Sequence, residues 1–237
     1  NGILQGYFDL LHIPYSSCSL LVAAMTFDKF TLNQYLKGYG VKIAESILLR
    51  KGQSIADDEV VEKIGLPCFI KPNGAGSSFG VTRCKEKADI QKAIEKAHEE
   101  CDEVMIEAEL KGIETANGVY RKANGEVYVL PITEVVSKNE FFDFDAKYNG
   151  QVEEITPAHI PDEQAQRAQQ LTSAIYDILH CNGIIRIDYI ISPKGDISML
   201  EINTTPGMTQ TSFIPQQVRA AGLSITDVLT DIVENQF

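Results

Sequence analysis

At 237 residues the chain is long enough for one large domain or two small ones, and 44% apolar with 23% charged residues is ordinary for a soluble globular protein. A formal net charge of −12 argues against general nucleic-acid or anionic-membrane binding, while leaving room for a local basic pocket for phosphates. No apolar run approaches a membrane span and no signal peptide opens the chain. Five cysteines, an odd number without a CxxC pair, argue against a disulfide framework or zinc site and for a reducing cytoplasm.

Asn1-Gly2 leads straight into an amphipathic run at residues 3–11, followed by a turn at 12–17, so a structured unit is expected upstream. The pattern then predicts a helix over 26–39, with Thr26 as N-cap and Gly38 and Gly40 as stop signals. A short strand lies within 41–49 and a short helix at 57–64. A strand at 67–72 ends at a proline, a glycine-rich loop follows at 73–80, and a second strand at 80–84 makes the loop a strand-to-strand connection. Residues 87–100 form a helix with Ile90, Ala93, Ile94 and Ala97 on one face, followed by a strand at 103–108.

The pattern changes character near Leu110-Lys111-Gly112, the expected boundary between two α+β halves, and a cleft between halves is where cofactors usually sit. Residues 114–120 and 126–136 read as a hairpin around Ala123-Asn124-Gly125. The polar-aromatic stretch 137–157 has weak periodicity, which suits a lid or binding loop. A helix at 161–179 has proline in its opening turn, and helices at 213–221 and 224–233 close the chain.

The most informative stretch lies between the last two features. Arg186-Ile187-Asp188 and Glu201-Ile202-Asn203 are β-branched runs flanking a turn-rich segment, Ser192-Pro193-Lys194-Gly195-Asp196. If Ser192 pairs with Ile197, Asp188 faces Glu201 and Arg186 faces Asn203, all on one side of the hairpin. Ile185, Ile187, Tyr189, Leu200 and Ile202 then form the core face. Charges inside an apolar hairpin need compensation. Two carboxylates and an amide oxygen suit a hard divalent cation, with nucleotide phosphates completing its shell.

Other residues allow two readings each. The loop Asn73-Gly74-Ala75-Gly76-Ser77-Ser78-Phe79-Gly80 is either an ordinary turn or a flap whose N–H groups and serine hydroxyls cover phosphates; it is neither a Walker A loop nor a Rossmann fingerprint. Lys71 is a solvated strand end or a phosphate ligand. Lys29, in the first turn of a helix where the macrodipole disfavours a cation, is an exposed lysine or a partner for an anion. Glu107 and Glu114 flank the boundary as solvated carboxylates or as acceptors for adenine and ribose. Asp145-Ala146-Lys147-Tyr148 is a decorated surface loop or a lid closing over a reacting phosphate. The Thr204-Thr205-Pro206-Gly207 turn directs N–H groups toward the metal site, where one with Arg186 could form an oxyanion hole. Ser212 either caps the helix at Phe213 or binds a substrate carboxylate. His12, His98, His159 and His180 lack partners at metal-binding spacing.

Together these motifs resemble the ATP-grasp enzymes and, within them, the D-alanine–D-alanine ligases, over almost the whole chain. The resemblance rests on Ile70-Lys71-Pro72 with Gly76-Ser77-Ser78-Phe79-Gly80, on Ala146-Lys147-Tyr148, on Arg186-Ile187-Asp188, and on the run from Leu200 to Thr209. It implies an α+β fold of two subdomains whose antiparallel sheets sandwich ATP. Residues 1–24 would be the remnant of an N-terminal substrate domain, 25–110 the central subdomain, and 111–237 the C-terminal subdomain with the metal site and lid.

By resemblance, Asp188, Glu201 and Asn203 are ligands of Mg²⁺ or Mn²⁺, two ions. Lys29, Lys71 and Lys147 bind phosphates with Ser77 and Ser78, and Glu107, Ala108, Leu110 and Glu114 hold adenosine. Ser77 and Tyr148 tie the glycine loop to the lid and orient substrate, Arg186 and the Gly207 amide form the oxyanion hole, and Ser212 helps hold the second D-alanine carboxylate. The implied reaction is ATP-dependent joining of two D-alanines through D-alanyl phosphate, in the cytoplasm, without nucleic-acid or membrane partners and with a homodimer allowed. Departures are Asn33 at a site often basic, Ala108 at one often lysine, Asn73 and Ala75 at positions often charged, and Asn1 where aspartate is frequent. Competing readings are another carboxylate–amine ligase, a relative accepting D-lactate, and a non-catalytic nucleotide-binding module.

Overall fold

A computed structural model describes residues 1–76, 79–137 and 152–236. It groups them into two compact units, one built on Phe27–Lys111 and the other on Asn1–Thr26, Gly112–Val136 and Glu153–Phe237. Among the described residues no helix is long and apolar enough to cross a membrane.

Helices α1 (Ile3–Leu10) and α2 (Leu20–Phe27) open the chain, and α3 (Lys29–Lys37) follows at once. The single helix expected over 26–39 is therefore two. Thr26 does not cap; it is buried in the last turn of α2, where its hydroxyl donates to the Val22 carbonyl at 2.8 Å. Asp28 is the N-cap of α3, accepting the Thr31 N–H at 2.8 Å. The apolar run at 20–27 forms its own helix, and an aspartate two residues after Thr26 is the stronger cap.

The unit on Phe27–Lys111 continues through β1 (Ser46–Arg50), α4 (Asp57–Lys63), β2 (Cys68–Pro72), β3 (Thr82–Cys84), α5 (Ile90–Glu100) and β4 (Glu103–Ala108). Its four strands form a sheet in the order β1-β4-β2-β3, with every pairing antiparallel. Ile90, Ala93, Ile94 and Ala97 of α5 are buried, as their helical spacing demands, with Ile70, Val104 and Ile106 of the sheet. Strand alternation sends Phe69 and Lys71 of β2, and Met105 and Glu107 of β4, to the opposite face.

The other unit holds β5 (Ile113–Arg121), β6 (Val127–Val129), β7 (Thr133–Ser137), β8 (Val152–Ile155), α6 (Asp162–Ile178), β9 (Ile185–Ile191), β10 (Ile197–Asn203), α7 (Phe213–Ala220) and α8 (Ile225–Glu234). The sheet runs β10-β9-β5-β7-β8, and β6 also pairs with β5. The strand expected at 126–136 is thus split into β6 and β7, both against β5. β8 lies within the stretch read as a long loop, because pairing with β7 supplies order that weak periodicity does not advertise. On one face Tyr189 is fully buried, its hydroxyl 2.8 Å from that of Thr172 on α6. On the other, Tyr120 and Leu130 pack with Ile214 and Val218 of α7 and Val228 and Ile232 of α8.

The β9–β10 hairpin reaches the expected pairing by an unexpected route. Ser192 pairs with Asp196, not Ile197: its N–H donates to the Asp196 carbonyl at 2.9 Å, and Gly195, at φ +81°, closes a shorter loop by donating to the Ser192 carbonyl at 2.8 Å. Ile197 therefore faces Ile191 and Met199 faces Tyr189. A register shift between Met199 and Glu201 then inserts Leu200 as an extra residue and restores Asp188 opposite Glu201 and Arg186 opposite Asn203. Accordingly the core residue is Met199, 1% exposed, and Leu200 is only partly buried. With the near-turn register maintained, Glu201 would face Ile187 in the core.

The connection from α6 to β9 depends on Gly183, which has φ +67° and would place a Cβ 2.0 Å from the Ser16 carbonyl oxygen. Gly183→Ala is expected to cost more than about 2 kcal/mol in urea unfolding, since both the left-handed backbone and the contact oppose a side chain.

Candidate active site

In the unit carrying the hairpin, Arg186 and Asp188 form a two-bonded fork. Nε donates to Oδ1 at 2.8 Å and Nη2 to Oδ2 at 2.8 Å, with the side chains 11% and 9% exposed. Glu201 Oε1 stands 3.8 Å from Nη2 and its side chain is 44% exposed. The Phe213 ring centroid lies 5.0 Å from the Arg186 guanidinium carbon. Burial opposes the Arg186 charge, but the carboxylates of Asp188, Glu201 and Glu114 outweigh it and raise its pKa above the ordinary value. Arg186 is therefore a permanent cation. Glu114, read from sequence as an adenosine acceptor, also acts electrostatically on this arginine.

Asn203 stands opposite Arg186 in the same hairpin. Its Oδ1 accepts the Thr205 N–H at 3.0 Å, which fixes the side chain and the start of the Thr-Thr-Pro-Gly turn together. Arg186 donates to both Asp188 oxygens. Two carboxylates and an amide oxygen on one strand face suit a hard cation that takes its remaining ligands from water or phosphate. Among the described residues no group of three or more His, Cys, Asp and Glu forms a metal centre.

Gly207 and Ser212 are in contact: a Cβ at Gly207 would lie 2.7 Å from Ser212 Oγ. Ser212 occupies the N-cap position of α7, yet its side chain does not cap. Its hydroxyl sits 2.7 Å from that of Thr209. The capping reading of Ser212 is not realised, and the hydroxyl lies where the turn and the helix start meet.

In the unit on Phe27–Lys111, Lys71 Nζ donates to Glu107 Oε2 at 2.6 Å, with the side chains 12% and 5% exposed. Asn33 Nδ2 approaches Glu107 Oε1 at 3.5 Å from α3. Neither Lys71 nor Glu107 is a solvated surface charge. Lys29 Nζ donates to the Ala75 carbonyl of the glycine loop. Ala108 ends β4 with its N–H given to the Glu45 carbonyl at 2.9 Å, and Leu110 is half-buried beyond it. Ser77, Ser78, Lys147 and Tyr148 lie outside the described residues.

Sequence reasoning passed over two polar anchors. Asn73 is 2% exposed and ties the glycine loop to α3. Its Oδ1 accepts the Phe30 N–H at 2.8 Å, while Nδ2 donates to Asp28 at 2.8 Å and Glu103 at 3.1 Å. Arg83 and Glu109 form a further, partly buried ion pair at 2.6 Å. An asparagine opening a glycine loop resembles turn chemistry, and nothing local reveals partners thirty or more positions away.

Two expected outcomes follow from the burial of these groups. Asp188→Ala should cost about 3–5 kcal/mol in chemical denaturation, because it strands a buried guanidinium, whereas Glu201→Gln should stay within about 0.5 kcal/mol. Asn73→Asp should melt lower than Asn73→Ala, since it sets a third carboxylate between Asp28 and Glu103. That carboxyl would have a raised folded-state pKa, so the deficit relative to Ala should grow as pH rises through it and shrink in acid.

A family described as D-ala D-ala ligase C-terminus matches residues 35–234. The D-alanine–D-alanine ligase of Phocaeicola vulgatus is 69% identical over 237 residues, covering 100% of this chain and 73% of that protein. The corresponding ligase of Bacteroides fragilis is 65% identical with the same coverage of 100% and 73%. The crystal structure of VanG D-Ala:D-Ser ligase from Enterococcus faecalis superposes with a TM-score of 0.89 at 33% identity, over 100% of this chain and 69% of that one. The D-alanine–D-alanine ligase of Bacillus anthracis complexed with ATP gives 0.84 at 29% identity, over 99% and 74%. The α+β architecture is that of the ATP-grasp ligases, and with two-thirds and more of several relatives matched, the chain belongs to the D-alanine–D-alanine ligase family.

Proposed function

We propose that this protein joins two D-alanines into D-alanyl-D-alanine at the expense of ATP, for peptidoglycan precursor synthesis. The observation that carries the reading is the Arg186–Asp188 fork with Glu201 and Asn203 on the same strand face, in a chain 69% identical to a D-alanine–D-alanine ligase. Residues 25–110 take the central nucleotide-binding role and 111–237 the metal and acyl-transfer role.

The first D-alanine carboxylate attacks the γ-phosphorus of ATP, giving D-alanyl phosphate and ADP. Lys29, Lys71 and Lys147 offset phosphate charge, with Ser77 and Ser78 as further donors. Lys71 is held by Glu107 at 2.6 Å, so a nucleotide phosphate meets a lysine already oriented. Glu107, Ala108, Leu110 and Glu114 hold the adenosine. Asp188, Glu201 and Asn203 would hold Mg²⁺ or Mn²⁺, two ions, which would supply positive charge against the phosphates.

The amine of the second D-alanine then attacks the acyl carbon, loses a proton, and phosphate leaves. Arg186, a fixed cation, and the Gly207 N–H meet the oxyanion that develops on the acyl oxygen. Ser212 receives the second carboxylate, and Ser77 with Tyr148 orients substrate beneath the lid, which shields the acyl phosphate from water. The same reading puts the enzyme in the cytoplasm, with no nucleic-acid or membrane partner, and allows a homodimer.

The test is ADP release and dipeptide formation by the full-length gene product, with ATP, Mg²⁺ and D-alanine, D-serine or D-lactate as acceptor. D-Alanine should be the preferred acceptor. Glu201→Gln and Arg186→Lys should each lower kcat by about 100-fold or more. Unchanged turnover in Glu201→Gln, which keeps its fold, would remove the catalytic reading; preference for D-lactate would reassign the product to a depsipeptide.

A further inference from the structure

We infer that Gln217 is a positioning residue for the acceptor half of the reaction. It fixes where α7 starts relative to Arg186. The inference rests on the ligase reading.

Gln217 is fully buried, and its amide enters a break in the sheet. On the edge away from β9, β5 pairs with β7 as far as Ala116 and with β6 from Val119 onward. Gln217 fills the interval between them. Its Oε1 accepts the Gly118 N–H at 2.8 Å, and Nε2 donates to the Ala116 carbonyl at 2.8 Å and to the Thr133 hydroxyl at 3.0 Å. Both Nε2 hydrogens are therefore used. A Cβ at Gly118 would lie 2.6 Å from Oε1, so that strand position has no side chain where the amide needs room.

The backbone it grips is the backbone behind the fork. Ala116 stands opposite Asp188 and Gly118 opposite Arg186 in the β5–β9 ladder. At its other end α7 delivers Phe213, with its ring 5.0 Å from the Arg186 guanidinium carbon, and Ser212, in contact with Gly207. The remaining hold on α7 includes apolar packing of Ile214 and Val218 and, in an exposed position where water competes, a bond from Gln216 Nε2 to Glu154 Oε2. Apolar contact resists separation but has no preferred direction along the strand. Hydrogen bonds at 2.8 Å do have one. The Gln217 amide therefore sets the position of the helix along β5, and with it the distance from Ser212 to Arg186.

Gln217→Met keeps the volume and removes the bonds; Gln217→Glu keeps the shape but, when ionised, loses both donor hydrogens. In the full-length gene product Gln217→Met should raise the acceptor D-alanine KM by roughly 10-fold and lower kcat, while the ATP KM stays within about twofold. Gln217→Glu should recover towards wild type as pH falls, because a protonated carboxyl can still donate to Ala116, and the wild-type enzyme should not share that profile. Thr133→Val, which removes one of the bonds, should shift the D-alanine KM the same way by a few-fold, and it keeps the test open if Gln217→Met does not fold. Folded variants with both KM values unchanged, or with D-alanine and ATP KM rising together, would overturn the assignment. Wild-type dipeptide synthesis in the same assay separates that result from a failure of the ligase reading; its absence would indict the reading and not Gln217.

Discussion

A guanidinium and a carboxylate about nine-tenths removed from water are the constraint around which this chain is arranged. Desolvating both ions is costly, and the cost is offset only by good geometry and further partners. The fork supplies the geometry through two bonds at 2.8 Å. Glu114 and Glu201 add negative potential, and Phe213 presents a ring to the guanidinium. Several otherwise arbitrary features serve this pair. The extra residue at Leu200 brings Glu201 opposite Asp188, and α7 begins where a phenylalanine can reach the arginine. The arrangement leaves excess negative charge beside a fixed positive one, the electrostatic setting on which the proposed cation and oxyanion roles rest.

The unit on Phe27–Lys111 follows the same rule with different residues. Its sheet turns a hydrocarbon face to α5 and a charged face the other way, where Lys71 and Glu107 are paired and largely buried. Asn73 contributes rigidity: one side chain joins a helix start, a strand and the opening of the glycine loop. Glycine permits close backbone approach at such a loop, and the buried Asn73 amide anchors its first residue.

Much of this was legible in residue order. Period-two alternation placed most strands, period-3.6 placed the buried face of α5, and four polar residues in an apolar hairpin marked the site. What the sequence hid has physical causes. Asp28 outcompeted Thr26 as a cap because capping is decided between neighbours. β8 emerged from a weakly patterned stretch because its order comes from β7. The hairpin pairing at Asp188 and Glu201 was correctly read through a turn that does not occur: the loop is one residue shorter than expected and the strand one residue longer. Core assignment exposed the difference, since Met199 and not Leu200 is buried. Gln217 and Asn73 were missed because a polar residue's burial is a tertiary fact, fixed by partners far along the chain.

The shorter loop and the extra strand residue have a consequence for how this hairpin can vary. A longer turn followed by an unbroken strand would present the same four side chains on the same face. The quantity under constraint is therefore the length of chain between Asp188 and Glu201, while the place where the spare residue is absorbed is free to move. A loop graft that respects that length should transplant the site intact, and one that changes it by a single residue should turn the site inside out.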